Sequence, residues 1–240
     1  MLKQNQALIN NACDQFLRNV DDIATFYLSS ATSAYLLTTV KLNDELDWEM
    51  HLSNNFPTEA TTIRTPQDVV SLYNTGDYQR LNSYQAVISL CSIFEVFIKH
   101  IGKLLEAKTP KNISITSWRR KNTPVTIRNQ TLCLVKSIHD KYEIDSQLIN
   151  DEALCWIYNF FVIRNAIVHE GGILQKNTQK LLVGDWQKGT LNQYLEVSDN
   201  DIDDMVHYLR SHVKSFEYKI NDICTTRPHK CHASSSPQET

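Results

Sequence analysis

The chain has 240 residues, 42% of them hydrophobic, with 24 Lys plus Arg against 27 Asp plus Glu. That length buries one substantial core or two small ones. A net charge of -3 excludes a general attraction to nucleic acid or anionic membrane, so any polyanion has to be met by a local patch.

Read from the amino terminus, MLKQNQALINNAC has no long apolar run. The most apolar stretch, Ala153 to Val168, is shorter than a membrane span and is interrupted by Asn159, Arg164 and Asn165. Export and membrane insertion are therefore not expected. The six cysteines are scattered, and four of them fall in apolar helical patterns, which predicts reduced, buried thiols and a cytoplasmic protein.

Ile9, Cys13, Phe16, Val20, Ile23, Tyr27, Ala31 and Ala34 recur at steps of four and three and predict one long helix. Residues 41 to 77 lose the pattern and read as a connector, apart from a short helix opened by Thr65 and Pro66 and stopped near Gly76. From Tyr78 to about Ala107, Val87, Leu90, Phe94, Phe97, Ile101 and Leu104 form a stripe with Ile88, Cys91 and Ile98 beside it, the mark of a central helix. A polar loop from Lys108 to Thr126 precedes a third core helix through Leu132, Val135, Ile138 and Tyr142, and a fourth from Leu148 to His169 ends at Gly171 and Gly172.

Leu181 to Trp186, then Gln187-Lys188-Gly189, then Tyr194 to Val197 read as a small hairpin. Ser198 or Asp199 caps a last helix running to about Cys224, with several aspartates near its positive end. The expected fold is an all-α, antiparallel helical bundle with a long N-terminal helix and a hairpin insertion before the last helix. Its parts are an N-terminal extension and connector over 1–77, a helical domain over 78–224 and a tail over 225–240.

Arg164, Asn165, Ala166, Ile167, Val168, His169, Glu170, Gly171 and Gly172 place a cation, an amide and an imidazole at the end of an aromatic-rich helix. Arginine offers phosphate oxygens a fixed fork of donors, and histidine titrates near neutrality. An arginine, a polar residue and, after three more positions, a histidine resembles the signature of the HEPN superfamily of helical domains. The likeness includes the two glycines that follow and the earlier helix SLCSIFEVFIKH with its glutamate, and it spans roughly residues 78 to 224. The resemblance implies a metal-independent endoribonuclease acting as a homodimer, often a toxin or antiviral defence effector, with RNA as substrate and an antitoxin or defence-system protein as a further partner. It also implies that the two motif copies meet at the subunit interface.

Five positions at about 100° each leave Arg164 and His169 about 140° apart on an ideal helix. Convergence then needs either a helix that unwinds near Gly171 or a second subunit that supplies the complementary residue. The same helix has two apolar faces, Leu154, Ile157, Phe161, Asn165 and Val168 on one and Trp156, Phe160, Ile163 and Ile167 on the other. They suit either a bundle plus a symmetry mate or complete burial within one chain.

In the catalytic reading an imidazole assists attack of the ribose 2'-hydroxyl, which DNA lacks, giving a 2',3'-cyclic phosphate and a 5'-hydroxyl. Arg164 stabilises the charge on phosphorus, and Asn165 orients the phosphate or His169. A purely structural reading has Arg164 and His169 capping the carbonyl end of the helix.

Glu95, on an apolar flank, needs a cation: Arg164, or Lys99 one turn on. Trp118, Arg119, Arg120, Lys121 and Arg128 suit either RNA contact or solvated loop charge. Cys224, His229, Cys231 and His232 match no compact zinc spacing, and no nucleotide-binding, nucleophile-elbow or metalloprotease motif occurs, so neither metal nor cofactor is expected. The alternative function is a catalytically silent, dimeric RNA- or protein-binding scaffold, and a further reading lets residues 1–77 dock a partner along the Ile9 to Ala34 stripe.

Overall fold

A computed structural model describes residues 2–39, 66–106, 118–119 and 126–226. Among them lie seven α-helices: α1 (Leu2–Thr39), α2 (Pro66–Asn74), α3 (Asp77–Glu106), α4 (Gln130–Tyr142), α5 (Asp151–Glu170), α6 (Lys176–Leu181) and α7 (Asp199–Thr226). The fold is all-α. In the stretch read as a polar loop, β1 (Trp118–Arg119) pairs antiparallel with β2 (Thr126–Ile127), Trp118 opposite Ile127 and Arg119 opposite Thr126.

α3 is the central helix: Val87, Leu90, Cys91, Phe94, Phe97, Ile98 and Ile101 are buried on one broad face, and α1, α2, α4, α5 and α7 all pack on it. The predicted stripe of α1 supplies Ile9, Cys13, Phe16, Val20, Tyr27 and Ala34 to the same core. Rising positions on α1 meet falling positions on α3, where the Phe16 ring lies 4.5 Å from Phe97 and the Ser30 hydroxyl 2.7 Å from that of Tyr78, so the two run antiparallel. α1 is also antiparallel to α7, through Tyr27 to Asp199 and Arg210 to Asp21. The stripe that in sequence offered a docking face is thus covered by the chain's own α3 and α7.

Phe94, Phe160, Phe161 and Phe216 are fully buried, each contributing roughly 1.5–3 kcal/mol by leaving water. Helix starts follow the sequence chemistry. Asn129 accepts from the Leu132 amide at 3.0 Å and Asn150 from that of Ala153 at 2.8 Å. Ser198 and Asp201 form a reciprocal capping box, the Ser198 amide donating to the Asp201 carboxylate at 2.8 Å.

The predicted hairpin between Leu181 and Val197 does not form. In its first half Leu181 ends the short α6, Leu182 and Val183 are extended and a 3-10 turn covers Gly184–Lys188, while its second half pairs elsewhere. Asn159, buried on α5, accounts for the difference. Its side-chain amide donates to the Val183 carbonyl at 3.0 Å and accepts from the Val183 amide at 2.9 Å, taking the bonds a strand partner needs. Gly184 at φ +70° then turns the chain away, and the Gln179 side chain holds the carbonyls of Gln187 and Gly189 at 3.0 and 2.9 Å. Residues 192–195 pair instead with 172–174, just past the motif: Leu174 donates to Gln193 at 2.8 Å, Asn192 to Leu174 at 3.0 Å and Leu195 to Gly172 at 2.8 Å.

Candidate functional site

α5 is helical through Glu170 and stops where Gly171 adopts φ +64°; the amides of Gly171 and Gly172 both donate to the Ala166 carbonyl. These two amides, rather than Arg164 or His169, satisfy the helix end. The helix does not unwind before His169, so Arg164 and His169 stay about 140° apart around it. Within one copy the two do not share a face.

Arg164 is held in place from α3. Its Nη2 donates to Glu95 Oε2 at 3.0 Å, while Lys99 Nζ donates to Glu95 Oε1 at 2.5 Å, so one carboxylate carries both cations. The two pairings open in sequence occur together. The Lys99 hydrogen bond, then the charges of Lys99 and Arg164, hold the Glu95 carboxyl below the usual carboxylate range against the opposing effect of burial. Arg164 Nε is buried without a hydrogen-bond partner, and the Phe161 ring lies 5.8 Å from the guanidinium. Beside it, burial pushes the Cys91 thiol up to about 12, which the nearby Arg164 charge only partly offsets, leaving an inert core residue.

Asn165, Val168 and His169 are exposed on the last turns of α5. Neither the Asn165 nor the His169 side chain has a hydrogen bond to another described residue. Further back, both apolar faces of the helix are consumed within the chain: Leu154, Ile157 and Phe161 are buried on one, and Phe160 and Ile163 on the other, with the Trp186 ring edge-to-face at 6.0 Å from Phe160. The motif end is open, and Val168 there is 52% exposed.

Two contacts that sequence reasoning missed shape this end. Buried Thr178 donates its hydroxyl to both oxygens of Glu170, at 3.0 and 2.8 Å, bracing the residue after His169. Tyr84 donates its hydroxyl to the Gly172 and Leu195 carbonyls at 3.1 and 2.8 Å. A Cβ on Gly172, which sits at φ +78°, would lie 2.2 Å from the Tyr84 ring, so the second glycine is needed for closeness as well as for its backbone. The only sequence signal was the doubled glycine.

Of the remaining candidates, Arg119 lies on β1, Arg128 is exposed beyond β2, and Arg120 and Lys121 fall outside the described residues. Cys224 lies on α7, while His229, Cys231 and His232 are also outside them. Cys13, Cys91, Cys133 and Cys155 are buried, and none forms a disulfide among the described residues. No described helix is long and apolar enough to cross a membrane.

No family model matches the chain, and neither a curated protein nor a solved structure matches it.

Proposed function

We propose that the chain is a metal-independent endoribonuclease of the HEPN kind, working as a homodimer whose site combines Arg164 of one copy with His169 of the other. The observation that carries this reading is the open end of α5: a guanidinium fixed by Glu95 and an exposed imidazole, bonded to no other described residue, on faces about 140° apart, with Val168 exposed on the last turns. One helix end is chemically incomplete, and two related by a twofold axis complete each other.

In this mechanism His169 takes the proton from a ribose 2'-hydroxyl as that oxygen bonds to the adjacent phosphorus. Arg164 donates to the phosphate oxygens as charge builds on the pentacoordinate phosphorus, and Asn165 orients the phosphate. The bond from phosphorus to the 5'-oxygen breaks, and that oxygen leaves with a proton from water, while the His169 imidazolium returns its proton to solvent. The products are a 2',3'-cyclic phosphate and a 5'-hydroxyl. A role as toxin or defence effector, restrained by an antitoxin or similar partner, follows the same reading.

Incubating purified protein with RNA in a chelator tests it. Wild type yields fragments with cyclic phosphate ends, and His169→Ala yields none while keeping its helical circular dichroism. Full cleavage by His169→Ala would remove the assignment.

A further inference from the structure

A cavity of about 630 Å³ opens between the segment that follows the 3-10 turn and the start of α7, walled by Trp186, Gln193, Tyr194, Glu196, Ser198 and Asp201. It is tied directly to the motif. Tyr194 forms an antiparallel bridge with Ile173, four residues past His169 and so within about 14 Å of it along the backbone. Tyr84 and the backbone bonds between 172–174 and 192–195 brace the junction, and Gln179 fixes the far side of the loop. The walls are therefore set before any ligand arrives.

Tyr194 is half exposed, and the Arg80 guanidinium stacks on its ring at 3.6 Å from the centroid. Arg80 is not a wall of the cavity, so it backs the ring while the ring lines the space. A cation-backed tyrosine and a nearby tryptophan form a stacking platform for a flat heterocycle.

Charge decides which part of an RNA chain enters. Three carboxylates, Asp185, Glu196 and Asp201, face one ammonium, Lys188, which is paired with Asp185 at 2.6 Å. Phosphate is repelled and an uncharged base is not. Asp201 already accepts from Ser198, but Glu196 is exposed, with no hydrogen bond to another described residue, and its carboxylate accepts two parallel donors. Among the RNA bases guanine presents such a pair on its Watson–Crick edge, N1–H and the N2 amine.

We propose that this cavity is a nucleobase pocket that takes an unpaired guanine of the RNA close to the bond being cut, and so sets where the enzyme cuts. It rests on the endoribonuclease reading above, but its binding step can be measured without cleavage.

Calorimetric titration with guanosine, inosine, adenosine, cytidine and uridine reads the pocket in both wild-type and His169→Ala protein. Guanosine is expected to bind best and equally to both, inosine less well because it lacks the N2 amine. Tyr194→Ala and Glu196→Gln, with unchanged circular dichroism, are each expected to weaken guanosine binding by about tenfold or more. On RNA, wild type is expected to cut at a fixed offset from guanine, and the products of Tyr194→Ala to lose that offset. Equal binding of all five nucleosides, or binding of arginine amide in place of guanosine as for a basic peptide, overturns the pocket. So does an unchanged cut-site profile in Tyr194→Ala. Guanosine binding without RNA cleavage would instead uphold the pocket and remove the nuclease reading.

Discussion

Glu95 shows how a single side chain organises the candidate site. A carboxylate on an otherwise apolar flank of α3 has to find a cation, and that argument from sequence alone points to Arg164, 69 positions away, or to Lys99. It holds both, one on each oxygen, with Arg164 and Glu95 each less than a third exposed. Glu95→Gln keeps the shape and removes the charge, leaving a part-buried guanidinium with an amide oxygen. We expect a loss of about 1–2 kcal/mol in urea unfolding, together with reduced RNA turnover. Unchanged stability and turnover would mean that the pair neither supports α3 against α5 nor fixes the guanidinium. Thr178 and Tyr84 were not legible in the same way, because a hydroxyl is at home on any surface and their targets are set by a turn that only the folded chain brings close.

At the scale of elements, the long helices α1 and α3 could be read in advance because each needs a continuous stripe, and those stripes are the ones that are buried. The hairpin could not. A buried amide on α5 outcompeted a strand for Val183, and the partner for residues 192–195 lay just beyond the motif. A second tertiary event joins α4 to α7, where His139 Nε2 and His212 Nδ1 lie 3.1 Å apart, both rings fully buried and packed on Phe216. One neutral ring donates and the other accepts; a further proton would set two N–H groups against each other.

Burial pushes His139 down to about 4, against opposing effects of the Asp145 carbonyl and the Asp140 and Asp145 charges, and lowers His212 in the same direction, with the nearby His139 adding to it. The unfolded chain, with histidines near pH 6.5, therefore binds more protons than the folded one. The stabilisation is complete above that pH and drains as pH falls towards 4, by roughly 3 kcal/mol from His139 alone. We expect the urea midpoint to fall steadily from pH 7 to pH 4.5. A flat midpoint between pH 7 and pH 5 would show that the buried pair does not titrate on unfolding.

Over the whole molecule, one core recruits the N-terminal helix as fully as the others and closes both faces of α5 except at its motif end. The motif end of α5 stays open, and there Arg164, Asn165, Val168 and His169 meet solvent. Sequence reading placed these residues at a helix end. It could not tell whether the helix unwound to bring arginine and histidine together, since that depended on how Gly171 and Gly172 close on Ala166 and Tyr84. With the helix intact, the proposed nuclease mechanism requires a composite site across two copies.

Mixing two inactive proteins tests it most directly. Arg164→Ala and His169→Ala are each expected to lack RNA cleavage alone. After subunit exchange, each mixed dimer regains one intact pairing of Arg164 and His169, and about a quarter of wild-type activity should return if mixing is random. A mixture as inactive as its components, with mixed dimers present, would contradict a site shared between subunits.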